Sequence, residues 1–177
     1  MDDLSRLIVR AQEGDRDAFG QIYNLFYKRI YRYCQFNIGQ RETAQDLCQE
    51  TFLRAWKTLP SFSQRQGSSF QAYLFRISHN LVIDSKRKKK EIRLAKYQDV
   101  EEPSYLDEQI ERQETSQKLK EALAKLHPVE RQIIVLRYFE EMTTTEVARV
   151  VGLREGTLRV RAHRVLKKLK QLLEELT

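Results

Sequence analysis

Residues 44–59, AQDLCQETFLRAWKTL, divide into two unlike faces when they are placed on a helix at about 100° per residue. The broad apolar face, wide enough to pack on a core, consists of Ala44, Leu47, Cys48, Thr51, Phe52, Ala55, Trp56 and Leu59. The opposite face consists of Asp46, Gln49, Glu50, Arg54 and Lys57, with Leu53 in their midst. A single surface leucine is ordinary in a soluble protein, whereas an apolar anchor inside a polar rim is typical of a docking face. This stretch alone leaves both interpretations open.

The composition favours a helical protein of one large or two small domains. The 177 residues are 32% charged and 41% hydrophobic, with 6 glycines and 3 prolines. Cys34 and Cys48 lie among apolar helical positions, which indicates buried thiols in a reducing compartment more than a redox pair. The N-terminus carries acids where a signal peptide needs bases, and no apolar run is long enough to span a membrane. We therefore expect a cytoplasmic protein without membrane insertion.

The net charge of +7 is unevenly distributed along the chain. Residues 1–96 carry 18 Lys/Arg and 10 Asp/Glu, a net +8, and residues 116–177 carry 13 and 8, a net +5. Residues 97–115 between them carry 1 base and 7 acids, a net −6. Two basic blocks separated by an acidic strip indicate two polyanion-binding modules joined by a linker.

Before the opening stretch, residues 4–37 have helical periodicity that is interrupted at Gly14, where Asp15 or Asp17 could cap the second helix. The aromatic-rich run at residues 18–36 indicates core packing more than a platform for stacking nucleotides. Gly39 ends this helix.

After Pro60 the sequence predicts a polar loop at residues 61–69, then a helix that Ser69 caps and that runs from Phe70 to about Lys90. Its core stripe consists of Phe70, Leu74, Ile77, Ser78 and Leu81. Its other side consists of Tyr73, Arg76, His79, Asn80, Asp84 and Arg87. The five bases at residues 86–90 exceed what a helix dipole needs, so phosphate contact is the favoured interpretation.

From Ile92 to Glu114 the periodicity is lost, and we expect a linker with some helix near its end. A second helical domain then begins near Thr115. Its first helix carries Leu119, Leu123 and Leu126, and its second, opened by Pro128, continues to Phe139 with Ile133, Ile134 and Leu136 inward.

Residues 143–168 have the pattern of a helix-turn-helix. Thr143 and Glu146 form a capping box, Gly152 suits the short turn, and a second helix begins at about Glu155. The predicted inward residues are Val147, Ala148, Val151, Leu153, Leu158, Ala162, Val165, Leu166, Leu169, Leu172 and Leu173. The exposed side of the second helix, Arg159, Val160, His163, Arg164 and Lys167, suits the major groove of DNA. A solvated basic face on a helical hairpin is the less favoured alternative.

Signatures of catalysis and of metal binding are missing from the sequence. No glycine lies in a phosphate-binding loop, and His79, His127 and His163 are far apart without a C-x-x-C or H-E-x-x-H motif. We therefore expect neither cofactor nor metal, and a protein that is not an enzyme by itself.

Three motifs together resemble the extracytoplasmic-function (ECF) family of bacterial RNA polymerase sigma factors. They are D-x-x-Q-E-x-F-x-x-A-W at residues 46–56, F-x-x-Y-L-x-x-I-x-x-N at residues 70–80, and G-T-L-x-x-R at residues 156–161. The resemblance implies an all-α protein of two small helical domains. The first is an N-terminal bundle at residues 1–95 that binds core RNA polymerase and the minus-ten element, and the second is a helix-turn-helix domain at residues 116–177 for the minus-thirty-five element. An acidic linker at residues 96–115 joins them.

The resemblance also assigns residues to each contact. The polymerase-docking residues would be Asp46, Gln49, Glu50 and Leu53. The minus-ten residues would be Phe62, Arg65, Tyr73, Arg76, Asn80, Lys86, Arg87 and Lys88. The minus-thirty-five residues would be Thr157, Arg159, Val160, His163, Arg164 and Lys167. A separate anti-sigma factor would control the protein, which would be a monomer when free.

Two positions depart from the family pattern. Tyr73 replaces the usual tryptophan, and Arg154 stands where a capping serine or a proline is common. The main alternative function is a dimeric helix-turn-helix repressor or activator, which predicts a palindromic operator. A helical RNA-binding protein or nucleic-acid enzyme is disfavoured, because the aromatic and catalytic motifs for it are missing.

Overall fold

The computed structural model of this chain describes residues 3–63, 69–96 and 114–176, and every regular element in these ranges is helical. The helices are α1 (Asp3–Gln12), α2 (Arg16–Ile38), α3 (Arg41–Thr58), α4 (Phe70–Lys96), α5 (Glu114–Ala124), α6 (Pro128–Ile134), α7 (Thr144–Val151) and α8 (Glu155–Glu175). A 3₁₀ turn, Leu59–Ser61, follows α3, and a π-helix, Val135–Phe139, continues α6. The all-α prediction is confirmed.

The chain forms two compact units, one built from α1–α4 and the other from α5–α8. Most of the predicted acidic linker, at residues 97–113, lies outside the described residues. The expectation that the linker starts at Ile92 is wrong, because α4 continues to Lys96. Lysine and arginine favour helices, and at a helix C-terminus they also complement the dipole, so the basic run extends α4 instead of ending it.

In the first unit, α2 packs against α1, α3 and α4, and α3 also packs against α4. The local signals are as predicted: the carboxylate of Asp15 caps α2 by accepting from the Ala18 N–H, and Gly39 ends it at φ 75°. The Ser69 hydroxyl accepts from the N–H of Ala72 at the start of α4. The apolar face of residues 44–59 is buried or half-buried throughout, as the periodicity predicts.

One prediction for α4 is wrong, because His79 is buried and not exposed. Its Nδ1 lies 3.1 Å from the hydroxyl of Tyr33 on α2. Phe75 and Val82, which the predicted core stripe omits, are fully buried as well. Because α4 packs against both α2 and α3, its buried arc is wider than the single stripe that periodicity indicates.

In the second unit the predicted capping box at α7 is present, with the Thr143 hydroxyl accepting from the Glu146 N–H and the Glu146 carboxylate accepting from the Thr143 N–H. Gly152 ends α7 at φ 71°. One predicted core position is wrong, because Leu166 is 38% exposed. The predicted core residue Val151 is half-buried, and its neighbour Val150, which the pattern does not mark, is buried. The stripe of Leu158, Ala162, Val165 and Leu169 already fills the contact of α8 with its neighbours, which leaves Leu166 at its edge.

Candidate protein- and nucleic-acid-binding surfaces

The outward face of α3 carries an exposed leucine among polar side chains. Leu53 is 48% exposed, Asp46 and Gln49 are exposed, and Glu50 is half-buried. Glu50 accepts from the Arg54 guanidinium at 2.7 Å, so its carboxylate is held along the helix surface. The four predicted docking residues therefore share the solvent-facing side of one helix.

Leu53 also lines an open groove of about 360 Å³ together with Arg16, Phe19, Phe52 and Trp56. The rings of Phe19 and Trp56 lie 4.9 Å apart between centroids and join α2 to α3 at this groove. Sequence reasoning placed Phe19 and Trp56 in the core and did not mark Arg16. The groove depends on how α2 lies beside α3, and helical periodicity carries no information about that.

A second candidate surface begins at the turn after α3. The ring of Phe62 is half-buried, with its centroid 4.7 Å from that of Tyr73 and 5.4 Å from that of Phe70. The Tyr73 hydroxyl donates to the Ala55 carbonyl at 3.0 Å and also hydrogen-bonds the hydroxyl of Thr58. Burial raises the pKa of Tyr73, so the hydroxyl is neutral. Arg65 lies outside the described residues.

Beyond this cluster, α4 presents Arg76 and Asn80 to solvent, and Arg87 follows on the same side two turns later. Arg87 lies 3.3 Å from Asp84, in an exposed pair that contributes little to stability. The other predicted phosphate-binding residues point elsewhere: Lys86 is half-buried, and Lys88 is exposed on another side of the helix. The structure therefore brings Arg76, Asn80 and Arg87 onto one face and separates the two lysines from them.

In the second unit, all six predicted residues on α8 are exposed: Thr157, Arg159, Val160, His163, Arg164 and Lys167. Val160, Arg164 and Lys167 follow one line along the helix, with Thr157 and His163 beside it. Arg159 lies at the edge of this face, where its guanidinium donates to Glu155 at 2.9 Å. The face combines guanidinium groups, a small apolar group and an ammonium. These groups can hydrogen-bond guanine edges, contact a thymine methyl and contact a phosphate, respectively.

The N-terminus of α8 has no side-chain cap, because Arg154 at that position makes no capping hydrogen bond. Glu155 compensates in part, since a carboxylate in the first turn complements the helix dipole. Its second oxygen accepts from the Thr145 hydroxyl at 3.0 Å, which ties the start of α8 to α7.

The two cysteines lie in the core of the first unit and not on these surfaces. Cys34 and Cys48 are both buried and free, and burial raises the pKa of Cys34 to about 11 and that of Cys48 to about 12. Both are therefore protonated at neutral pH and poorly nucleophilic. Across the described ranges, no His, Cys, Asp and Glu side chains cluster as metal ligands would. No helix in those ranges has the length and apolar content to cross a bilayer.

Comparison with known proteins matches both units. Residues 22–92 match the sigma-70 region 2 family, and residues 116–169 match the sigma-70 region 4 family. The chain is 34% identical to the ECF RNA polymerase sigma factor BldN of Streptomyces coelicolor, over 97% of this chain and 66% of that protein. It is 30% identical to the ECF RNA polymerase sigma factor SigW of Bacillus subtilis, over 98% of each.

Two solved structures resemble the fold, each at 26% sequence identity. One is RpoE of Bartonella quintana in complex with the anti-sigma factor NepR, with a TM-score of 0.74 over 88% of this chain and 96% of that one. The other is CnrH in complex with the cytosolic domain of CnrY, with a TM-score of 0.70 over 98% of this chain and 99% of that one.

Proposed function

This chain belongs to the ECF family of RNA polymerase sigma factors, and from that premise we propose that it directs promoter recognition and transcription initiation. It binds core RNA polymerase in the cytoplasm, helps to melt promoter DNA, and is not an enzyme by itself. The first unit, proposed as residues 1–95, docks on polymerase and captures the minus-ten element. The second, proposed as residues 116–177, reads the minus-thirty-five element, and residues 96–115 link the two.

The observation that carries this proposal is the outward face of α3. Asp46, Gln49 and Glu50 share this face with Leu53. The exposed side chain of Leu53 lines a groove together with aromatic rings. An apolar anchor within a polar rim is typical of a surface that binds another protein. Contact with DNA would leave the apolar anchor without an apolar partner. We assign these four residues to polymerase docking and add Phe19 and Trp56, whose rings extend the apolar contact.

For the minus-ten element we propose Phe62, Arg65, Tyr73, Arg76, Asn80, Lys86, Arg87 and Lys88. The shared face of Arg76, Asn80 and Arg87 supports direct contact with the melted strand, whereas Lys86 and Lys88 suit the flanking phosphates. The Tyr73 hydroxyl already bonds to α3, so this residue contributes ring surface more than a new hydrogen bond. For the minus-thirty-five element we propose the exposed face of α8, which is Thr157, Arg159, Val160, His163, Arg164 and Lys167.

Both contacts are individually weak, and the linker makes them effective together. Binding of polymerase and of one element raises the local concentration of the other element at the second unit. Binding of the free protein to DNA should accordingly be weak and strongly salt-dependent. We propose that the free protein is a monomer under the control of a separate anti-sigma factor, since RpoE of Bartonella quintana is bound by one.

The test is co-purification with bacterial core RNA polymerase. We expect stoichiometric binding by the wild-type protein and its loss in Gln49→Ala/Leu53→Ala, with the fold unchanged because both side chains are exposed. The matched control is Gln21→Ala/Leu25→Ala, an exposed glutamine and leucine at the same spacing on α2 that should leave binding intact.

Failure of the folded wild-type protein to bind polymerase would contradict the proposal. If it were in addition a stable dimer that bound a palindromic operator, the repressor or activator alternative would replace it.

A further inference from the structure

One side chain from α1 holds the turn that leads out of α3. The Nε2 amide of Gln12 donates to the Leu59 carbonyl at 3.1 Å and to the Phe62 carbonyl at 2.7 Å. These contacts join residues 47 and 50 positions apart in the chain. Gln12 is the last residue of α1 and is half-buried, so water competes only in part for its two donors.

Within the turn, the Phe62 N–H donates to the Leu59 carbonyl at 3.0 Å, and the Ser61 hydroxyl donates to the Thr58 carbonyl at 2.8 Å. The Leu59 oxygen therefore accepts from within the turn and from Gln12. The Phe62 carbonyl, at the end of the turn, accepts from Gln12 at the shorter distance. A primary amide has two N–H groups, so it can satisfy both carbonyls at once.

The same turn is held on its other side by α4. The Phe62 ring lies against Tyr73 and Phe70, and Tyr73 is itself fastened to the end of α3 through the Ala55 carbonyl. Gln12 thus holds the backbone of Phe62, while the aromatic cluster holds its ring. Arg76 and Asn80, which share the candidate DNA face, begin one turn beyond Tyr73 on α4.

We propose that Gln12 is a positioning residue for minus-ten recognition, although it does not itself face the DNA. By fixing the Leu59 and Phe62 carbonyls, it presents Phe62 to the melted strand in one orientation before binding. Preorganisation of this kind lowers the cost of ordering on binding and sharpens discrimination between bases. This inference rests on the proposed function, because it takes Phe62 to be a minus-ten contact.

Three substitutions separate hydrogen bonding from packing at this position. Gln12→Met keeps the length of the side chain but removes both donors, and Gln12→Glu keeps its shape but sets a carboxylate against two carbonyls. Gln12→Lys supplies an ammonium that can reach the same oxygens. The control is Gln35→Met, which removes another half-buried amide of the same unit, one that donates to the Gly39 carbonyl at the far end of α2.

The experiment is transcription by reconstituted holoenzyme from a pool of promoter templates randomised at both the minus-ten and minus-thirty-five elements, followed by sequencing of the transcripts. In Gln12→Met and Gln12→Glu we expect the enrichment of preferred bases at minus-ten positions to fall about fivefold. This is the scale of one or two lost hydrogen bonds. Enrichment at minus-thirty-five positions should stay at the wild-type level. Gln12→Lys should retain most of the selectivity, and Gln35→Met should match wild type.

A purely structural role predicts a different result. In that case all three Gln12 variants would transcribe less from every template, with unchanged ratios between templates and a lower unfolding temperature, and the inference would be overturned. Equal minus-ten enrichment in wild type and Gln12→Glu would overturn it as well. If wild-type holoenzyme enriched neither element, the proposed function itself would fail, so the two failures are distinguishable.

Discussion

The helices α3 and α8 are both amphipathic, but their solvent-facing sides carry different kinds of side chain. Each buries one face in the core of its own unit and leaves the other face to solvent. The free face of α3 sets Leu53 among acids and amides beside a groove of aromatic rings, whereas that of α8 sets Val160 among arginines, a histidine and a lysine. The first suits a protein surface and the second suits DNA, so on the proposed assignments the free face of each helix selects its partner.

The two helices also share a weak beginning. Gln40 before α3 and Arg154 before α8 make no capping hydrogen bond with their side chains, whereas Asp15 before α2 and Thr143 before α7 do. A cap is worth about 1 kcal/mol, so α3 and α8 depend more on tertiary packing. A side-chain cap is present on α4, where Ser69 accepts from the Ala72 N–H, so a missing cap is a feature of α3 and α8 and not of every candidate contact helix.

The largest expected effect concerns the buried and free faces of α3. Phe52 is 3% exposed and its ring lies 4.6 Å from that of Tyr23, whereas the next residue, Leu53, is 48% exposed. Phe52→Ala should cost about 3–5 kcal/mol of unfolding free energy, since it opens a cavity in the core. Leu53→Ala should cost less than about 0.5 kcal/mol. Urea denaturation of the two variants measures both values, and similar losses would place Leu53 in the core.

The next test divides the free face of α8 into base and phosphate contacts. Arg164→Ala should weaken binding of holoenzyme to its preferred minus-thirty-five sequence by about 1–3 kcal/mol and reduce discrimination against other sequences. Lys167→Ala should weaken binding to all sequences alike and reduce the salt slope by about 1. Fluorescence titration at several salt concentrations distinguishes them. An equal loss on every sequence for Arg164→Ala would make it a phosphate contact.

The smallest expected effect concerns acid stability, in which the two units should differ. Burial, and then the charge of Lys86, lowers the pKa of His79 below its usual 6.5, so the folded first unit favours the neutral imidazole. The stability that the neutral His79 side chain contributes is complete above about pH 6.5. It declines as the pH falls below this value, because His79 binds a proton more readily in the unfolded chain than in the folded one.

Glu130 in the second unit also loses its contribution to stability on acidification, but at a lower pH. Burial raises its pKa, but hydrogen bonds from Lys168 and the His127 N–H outweigh this and bring the pKa below the usual 4.5. The stability that Glu130 contributes is therefore present above about pH 4.5 and is lost below it. On acidification, the first unit should therefore lose stability before the second. Fluorescence of the single tryptophan, Trp56, reports unfolding of the first unit. His79→Gln should flatten the decline below about pH 6.5, and an unchanged decline would assign it to other groups.

Much of the fold follows from local signals in the sequence. The capping box at Thr143, the stop at Gly39 and the exposed stripe of α8 all depend on one helix and the residues next to it, and each is present as predicted. The error at His79 arises from the packing of α2 against α4. His79 is buried because α2 crosses the side of α4 that periodicity alone assigns to solvent.

The helices, most of their buried and free positions and, through the motifs, the family of the chain therefore follow from the sequence alone. The packing of the helices brings Arg16, Phe19 and Trp56 next to Leu53 in one groove. It also brings the amide of Gln12 to the turn after α3. The physical reason is the range of the interactions. Helical periodicity and capping act within a turn or two of the chain, whereas a groove or a hydrogen bond across 50 residues exists only once the helices have packed.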